Sequence, residues 1–559
     1  MASSFEGKQE VLDEPSSSST SFPISPQKAE FASDEDHSSV TASEAATETP
    51  VQLFHKPPTK QFVLIMIALS LCVFLASLDQ IIVSTSIPAI TREYNSLGDI
   101  SWLGTAYMLT ATAFQPLYGK FSDIFGRKTT MLFANFLFLV GSAISGWATS
   151  MNMLIVGRGV AGVGAGGLMA MVFIILSDML DMRERGKYLG FIGAIFSLSS
   201  VIGPLLGGAF ADHATWRWSF WINLPFGAIS ILFIFFNLNL PTPKGSFKDK
   251  IKRIDFLGSS ILLIAVILIL LPLNWGGSKY EWSSGIVIGL LVAGFAAAII
   301  FVLIPDEPIL PVHLYKIRNL WSTYGSLFFS GMSFFGILFY LPIYFQVVKN
   351  ETATIGGLET VPFVFGIVIT SISSGIWVLK KGTFHLFPAV GNLFFITGAA
   401  LCLLFQKDTQ RVVTIFVLLI CGLGMGFTMQ ASTLAVQAAV KPKYMATVTT
   451  SVQFVRSLGQ VFGVAIVGTV FSNKLESSLL ESFPNDPKIM SVTHDYKNIY
   501  EFYNPEQIGM IYDSFVYGLH FAFYCCIGFC FMAFIMSCFI QHKELKTNAN
   551  QKPELTVEV

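Results

Sequence analysis

Between two long apolar runs the chain reads Gly119-Lys120-Phe121-Ser122-Asp123-Ile124-Phe125-Gly126-Arg127-Lys128. The flanking runs, residues 101–119 and 129–148, contain no charged residue. A stretch of about 20 mainly apolar residues is what an α-helix needs to cross the hydrocarbon core of a bilayer. The pattern therefore predicts two membrane-spanning helices joined by a short basic loop.

The same pattern recurs along the whole chain. Apolar runs predict fourteen spanning helices, near residues 61–86, 101–119, 129–148, 152–176, 188–210, 219–238, 255–272, 284–304, 321–345, 354–378, 385–405, 412–436, 448–471 and 516–540. Of the 559 residues, 53% are hydrophobic and 13% are charged, whereas a soluble domain has roughly 25% charged residues. The composition thus predicts an all-α membrane protein in a lipid bilayer, and the net charge of −1 argues against a nucleic-acid partner.

The positive charges are concentrated in alternate loops. One set of loops holds Lys120, Arg127, Lys128, Arg183, Arg185 and Lys187, with further clusters over 244–253, 316–318, 380–381 and 441–443. Because short cytosolic loops carry the excess of lysine and arginine, this set is predicted to be cytosolic. An even number of spans then places both termini in the cytosol.

A distant likeness between the two halves suggests an internal repeat, which is common in transporters. The stretch Gly119–Lys128 follows the second span, and a degenerate echo, Gly375–Gly382, follows the tenth. If spans one to six match nine to fourteen, an inserted two-helix hairpin separates two six-helix bundles. The predicted divisions are a disordered cytosolic N-terminal tail (1–58), an N-terminal bundle (59–240), a basic linker with the inserted helix pair (241–319), a C-terminal bundle (320–541) with a long outer or lumenal loop (472–515), and a cytosolic C-terminal tail (542–559).

Few predicted spans contain a charge, and each such residue is a functional candidate because a charge inside a bilayer is costly without a partner or a cavity. Asp79 and Arg158 lie at a similar predicted depth and are able to pair. Burial favours a neutral carboxyl and a nearby arginine favours a carboxylate, so movement of Arg158 would exchange a proton at Asp79. Alternatively, Asp79 forms hydrogen bonds to a helix without titrating. Arg456 either contacts substrate or a gate, or else snorkels or pairs within the C-terminal bundle.

Four further motifs accompany the Gly119–Lys128 loop. They are Leu78–Pro88 in the first span, Leu154–Gly162 in the fourth, Gly203–Gly208 in the fifth and Trp216–Pro225 at the start of the sixth. With these five motifs in order, the chain resembles the major facilitator superfamily over about Val63 to Phe471. It is most similar to the fourteen-span drug:proton antiporters of bacteria and fungi. The resemblance implies alternating access about a cavity between two six-helix bundles.

Residues of these motifs are assigned roles as hypotheses. A gating latch at the cytosolic helix ends would comprise Gly119, Asp123, Arg127, Lys128, Asp178 and Arg183; the alternative is that these charges only set the topology. The antiporter motif comprises Gly203, Pro204, Gly207 and Gly208, whose proline is expected to bend the fifth span. Candidates for the substrate cavity are Tyr107, Gln115, Asn223, Tyr340, Tyr344, Gln346, Gln430 and Arg456. An aromatic cavity would suit flat, apolar or cationic solutes.

We therefore expect a monomeric, proton-coupled antiporter that exports small molecules such as drugs, toxins or metabolites. Its energy source would be the proton gradient, with no cofactor and no metal, in the plasma membrane or the vacuolar membrane. The sequence contains no P-loop and no catalytic or metal-ligand cluster at usable spacing, so no enzyme is expected. Two alternatives are a vacuolar importer of basic amino acids by proton antiport, which a further acidic cavity residue would favour, and a non-transporting membrane sensor.

Overall fold

The computed structural model describes residues 57–94, 100–243, 245–277, 280–303, 314, 316–484, 486, 489 and 503–543. The predicted tails over 1–58 and 542–559 lie almost wholly outside the described residues. The described part of the chain is helical and contains no β-strand. Thirteen of its helices are long and apolar enough to cross a membrane. This confirms the prediction of an all-α membrane protein.

The first half contains seven helices, two of which share one span. They are α1 (Thr59–Tyr94), α2 (Ile100–Phe125), α3 (Arg127–Gly146), α4 (Met151–Met179), α5 (Met182–His213), α6 (Trp218–Trp221) and α7 (Asn223–Asn237). Between α6 and α7 the predicted sixth span is interrupted at Ile222.

A short linker helix, α8 (Phe247–Lys252), leads into the inserted pair, α9 (Phe256–Trp275) and α10 (Gly285–Leu303). Helices α9 and α10 pack on each other, and α9 also contacts α2. Only three residues of α10 are buried within the protein, although the helix is strongly apolar. Most of its surface is therefore suited to contact with lipid.

The second half runs from α11 (Arg318–Ile343) to α17 (Pro505–Cys538). Between them lie a π-helical turn (Tyr344–Val348), α12 (Ala353–Glu359), α13 (Val361–Lys381), α14 (Leu386–Leu401), α15 (Arg411–Gln437) and α16 (Met445–Ser482). The predicted tenth span is thus divided between α12 and α13 at Thr360.

Helix packing follows the same order in both halves. In the first half α3 and α2 pack on α4, while α1 packs on α5 and α7; in the second half α14 and α13 pack on α15, while α11 packs on α16 and α17. The halves meet where α2 contacts α16 and where α5 contacts α13. This is the predicted pair of six-helix bundles with an inserted hairpin.

Helix α2 is the predicted span that is absent from the thirteen apolar helices. It has 26 residues, enough for about 39 Å of helix, but it includes Tyr107, Thr110, Thr112 and Gln115. These polar side chains lower its hydropathy, and three of them line a cavity described below. With α2 the number of spans reaches the fourteen that were predicted.

The predicted loop over 472–515 is shorter than expected. Helix α16 continues to Ser482, and α17 begins at Pro505 with a capping box on Asn504. Leu475 and Leu479 of α16 are buried in one hydrophobic cluster with Ile511 of α17. An apolar stripe at helical spacing therefore extends both helices into the segment that lacks a continuous apolar run.

Candidate functional site

Asp79 and Arg158, the charged residues predicted deep within the first half, form a buried ion pair. Arg158 on α4 donates from its Nη1 to Oδ2 of Asp79 on α1, and the two side chains are 1% and 0% exposed. The sequence predicted that these residues share a depth, and the structure brings them into contact. Because a charge without a partner is costly in a membrane, each side chain makes burial of the other tolerable.

Hydrogen bonds from three other helices hold this pair in place. Asn223 of α7 donates from Nδ2 to Asp79 Oδ1 at 2.8 Å and also to Ser142 Oγ at 3.1 Å. The Nε of Arg158 donates to the Leu103 carbonyl at 3.0 Å. Asn223, predicted as a cavity residue, is instead fully buried as a partner of Asp79. The Nη2 of Arg158 donates to the Asp79 carbonyl at 3.3 Å, so both carboxylate oxygens and all three guanidinium nitrogens have partners.

Tyr107 connects the ion pair with a cavity. The guanidinium of Arg158 lies 4.3 Å from the centre of the Tyr107 ring, close enough for a cation–π contact. The Tyr107 hydroxyl donates to the Ala76 carbonyl at 2.7 Å, and the same side chain lines the cavity between the two halves. A ligand that moves Tyr107 would therefore act directly on Arg158.

The cavity is small in this state, with a volume of about 70 Å³. It is narrower than a typical small-molecule site, which has roughly 300–1,000 Å³. Its lining residues come from α1, α2, α4 and α5 of the first half and from α16 of the second. They are Ala76, Gln80, Tyr107, Met108, Ala111, Thr112, Gln115, Ala165, Gly166, Met169, Phe196, Gln453, Arg456, Ser457 and Gln460. Tyr107, Gln115 and Arg456 are the predicted cavity residues that the structure places here.

The wall contributed by α16 is polar. Gln453, Arg456, Ser457 and Gln460 all line the cavity, and their spacing places them on one face of a helix. Sequence reasoning identified only Arg456 in this stripe and also missed Gln80, next to Asp79. The recurrence of polar residues at helical spacing within an apolar span was the signal that could have revealed the stripe.

Arg456 is the one charged residue among those lining the cavity. It donates to Gln453 Oε1, and its Nε is buried without a hydrogen-bond partner. Within the described part of the chain it forms no ion pair. The prediction that Arg456 pairs inside the C-terminal bundle is therefore not met by any described carboxylate.

Four other candidates lie away from this cavity. Tyr340 and Tyr344 belong to a buried aromatic cluster of the second half, where Tyr344 stacks on Phe405 with ring centres 4.9 Å apart. Gln346 lies in the π-helical turn that follows α11. Gln430 is buried on α15, next to Gly193 of α5. The face that each residue presents depends on how its helix is rotated against its neighbours, which span prediction does not give.

The loop charges Asp123, Arg127 and Asp178 lie together, within one half of the protein. Arg127 of α3 binds Asp178 of α4 at 2.7 Å through Nε and Asp123 of α2 at 2.5 Å through Nη1. Lys128 points elsewhere, with its Nζ 5.1 Å from the centre of the Phe235 ring, and the side chain of Arg183 lies outside the described residues. These ion pairs tie α2, α3 and α4 together, so they do not themselves bridge the two bundles.

The bond between bundles comes from Arg185, which the sequence reasoning did not select. Its side chain is 9% exposed and donates from Nη1 to Gln437 Oε1 on α15 at 3.3 Å. Gln437 in turn donates to Thr449 of α16 at 3.0 Å. Arg185 also donates to the carbonyls of Ser177 and Leu180. Among the described residues, this hydrogen-bond chain joins the two halves, whereas the ion pairs of the predicted latch lie within the first half.

Close backbone packing adds to this contact at the same, basic end of the protein. A Cβ on Gly119 of α2 would lie 2.7 Å from Thr450 Oγ1 of α16, so only glycine fits there. One turn further into the protein, Ser457 donates to Gln115 across the same boundary at 3.3 Å. Between them, these contacts close the cavity along α2 and α16 towards the basic end.

The glycine motif of α5 packs next to the ion pair. A Cβ on Gly203 would lie 3.1 Å from the Ile81 side chain of α1, two residues after Asp79. Gly208 has open space beside it, Gly207 is buried, and the side chain of Pro204 is outside the described residues. Within this motif, Gly203 is thus the described position at which an added side chain would crowd α1.

Comparison with known proteins places these features in context. The family model described as Major Facilitator Superfamily matches residues 69–464. The aspyridones efflux protein of Neocamarosporium betae is 35% identical over 482 residues, 84% of this chain and 85% of that protein. The rubrofusarin-specific efflux pump aurT of Gibberella zeae is 37% identical over 424 residues, 74% of this chain and 77% of the pump. A crystal structure of the human organic anion transporter MFSD10 (TETRAN) matches the fold with a TM-score of 0.58 at 15% identity, over 86% of this chain and 100% of that one.

Proposed function

The chain belongs to the major facilitator superfamily, and from that premise we propose that it exports small organic molecules from the cytosol in exchange for protons. Its relatives include fungal pumps whose names state efflux of aspyridones and of rubrofusarin. The cavity between the two halves, which is lined by both polar and apolar side chains, supports a small-molecule substrate. The observation that carries proton coupling is the buried Asp79–Arg158 pair beside this cavity.

Proton exchange would follow from the two partners of Asp79. In this state both carboxylate oxygens of Asp79 accept hydrogen bonds, from Arg158 and from Asn223. If Arg158 turned away, the carboxylate would be buried in the membrane without a cation and would take up a proton. A substrate that packs on Tyr107 would keep Arg158 on Asp79, because the ring packs on the guanidinium. Substrate binding would therefore displace the proton, as antiport requires.

Alternating access would break the contacts at the basic end. We assign this end to the cytosol, with both termini on that side, because it carries Lys120, Lys187 and Lys380. Opening towards the cytosol requires loss of the Arg185–Gln437 bond and of the packing of Gly119 on Thr450. On this account the structure corresponds to a state closed on the cytosolic side.

The cavity composition argues against the main alternative, import of basic amino acids into a vacuole. Such a substrate carries a positive side chain and would need an acidic partner in the cavity. None of the residues that line the described cavity is aspartate or glutamate, and one is arginine. Export from the cytosol at the plasma membrane or the vacuolar membrane remains the function that this site supports best. We propose that it acts as a monomer without metal or cofactor.

The proposal is tested with purified protein in lipid vesicles and 7-hydroxycoumarin as a small aromatic probe. With an imposed pH gradient, the native protein should accumulate the probe against its concentration gradient, while Asp79→Asn should reduce this to the rate of empty vesicles. Asparagine has the shape of aspartate but cannot carry a proton, and its one carbonyl oxygen can accept only one of the two hydrogen bonds from Arg158 and Asn223.

Asp249→Asn is the matched control, since Asp249 lies in the exposed linker helix α8. It should transport at the native rate. Gradient-driven accumulation by Asp79→Asn equal to that of the native protein would refute the role of Asp79. Equal accumulation by the native protein with and without a pH gradient would refute antiport altogether.

A further inference from the structure

Arg456 gives the central cavity a positive charge that no described protein group neutralises. The other lining residues are apolar or uncharged, and the arginine forms no ion pair among the described residues. Asp79 is not an alternative partner, because both its oxygens are occupied by Arg158 and Asn223. An arginine in a membrane protein that faces a cavity without a protein partner is available to a ligand.

The groups around Arg456 suit an anion. A guanidinium presents planar donors that match a carboxylate in a two-pronged arrangement. Next to it on the same helix face are Gln453, Ser457 and Gln460, whose amide and hydroxyl groups donate hydrogen bonds to oxygen. Arg456 Nε is buried and has no partner. A bound carboxylate or acidic phenolate would supply the missing acceptor.

The opposite wall suits an apolar, flat body. It is formed by Met108 of α2, Met169 of α4 and Phe196 of α5, together with the Tyr107 ring. Methionine and aromatic side chains adapt to flat apolar surfaces. The charge thus lies on the second half of the protein and the apolar surface on the first. A ligand with both features would bridge the halves and reach Tyr107, which packs on Arg158.

We propose that the substrates are amphipathic aromatic acids, whose anionic group binds Arg456 and whose ring system lies against the Tyr107, Met169 and Phe196 wall. This inference rests on the proposed transport function and names its substrate class. Of the flat, apolar or cationic solutes expected from the aromatic content, this inference disfavours the cationic ones, because the described lining of the cavity contains Arg456 and no carboxylate.

The test is equilibrium binding to the full-length protein in detergent at pH 7, without any gradient. The probes are naphthalene-2-carboxylate, its methyl ester and 2-naphthylmethylammonium, which share one ring system and differ in charge. The native protein should bind the carboxylate at least about tenfold more tightly than the other two. Arg456→Gln should remove this preference, with binding of the ester changed less than about threefold.

Two further variants separate a lost charge from a lost fold. Arg456→Lys should retain part of the preference for the carboxylate, because the positive charge remains while the two-pronged geometry is lost. Lys474→Gln removes a cation from the same helix outside the cavity and should bind like the native protein. Thermal unfolding of each variant verifies that it is folded.

Equal affinity of the native protein for the carboxylate and its ester would overturn the proposal. So would tighter binding of the ammonium probe, an unchanged preference in Arg456→Gln, or no binding of the carboxylate up to its solubility limit. Because no gradient is involved, binding through Arg456 without proton-driven flux would refute antiport alone. Proton-driven flux of 7-hydroxycoumarin without selective binding of the carboxylate would refute this inference alone.

Discussion

Arg158 and Arg456 both lie within membrane-spanning helices, and they have opposite surroundings. Arg158, in the first half, has a carboxylate, a carbonyl and an aromatic ring as partners and is 1% exposed. Arg456, in the second half, faces the cavity with one glutamine as its hydrogen-bond partner. The protein supplies a carboxylate for Arg158, whereas no described carboxylate pairs with Arg456. The difference matches the two proposals above, proton exchange beside Arg158 and recognition of the substrate's charge by Arg456.

Removal of each arginine in turn should have the largest and most unequal effect. Arg158→Met leaves Asp79 buried without its partner, which should lower the free energy of unfolding by about 3–5 kcal/mol. Arg456→Met removes a cation that has no carboxylate to lose and should leave stability unchanged or improved. Thermal unfolding in detergent measures both. Similar losses of stability in Arg158→Met and Arg456→Met would contradict the view that only Arg158 is paired with a protein carboxylate.

A compensating variant sharpens this test. Adding Asp79→Asn to Arg158→Met removes the orphaned charge and should restore much of the lost stability. If the double variant is no more stable than Arg158→Met, the loss came from packing of the arginine and not from an unpaired carboxylate.

Gly119→Ala should have the next largest effect, on the contact that joins the two regions. The added Cβ would lie 2.7 Å from Thr450 Oγ1, and such overpacking costs about 1–3 kcal/mol. The closed basic end should open more often. The measurement is labelling of Ser457→Cys, a cavity position, by a membrane-impermeant thiol reagent added on that side, with the protein lacking this change as the background.

Gly104→Ala on the same helix is the matched control, because nothing lies within 4 Å of its added Cβ. It should label like the parent protein. A response in Gly104→Ala as large as that in Gly119→Ala would show that helix propensity, and not the contact with Thr450, sets the closed state.

Tyr107→Leu should have a small effect on stability and the most specific effect on coupling. It removes the ring that packs on Arg158 at 4.3 Å, a contact that contributes about 1–2 kcal/mol when desolvated. Substrate-induced proton release, measured with a pH dye in vesicles, should fall. Tyr107→Phe keeps the ring and loses only the bond to the Ala76 carbonyl, so its proton release should stay near native. Equal losses in both variants would assign the coupling to the hydroxyl.

The sequence was sufficient where a local rule governs the outcome. Apolar length determined the spans, and the common depth of Asp79 and Arg158 followed from helix rise and direction, because a buried charge in lipid has few tolerable positions. The charges of Asp123, Arg127 and Asp178 gathered for the same reason. The polar stripe Gln453–Gln460 was also present in the sequence as a helical period, although only Arg456 was recognised.

Only the tertiary structure determined which side chains face the cavity and which are buried between helices. Tyr340 and Tyr344 are buried in the core of the second half, and Asn223 binds Asp79. Neither position followed from the sequence, because the rotation of a helix is set by packing against its neighbours. The bond from Arg185 to Gln437 spans 252 positions of sequence and depends on how the two halves dock. For the same reason, the sequence could not show that Arg456 has no partner among the described carboxylates. That observation required the positions of the residues around it. Local periodicity determines the helices of this protein, and long-range packing determines its cavity.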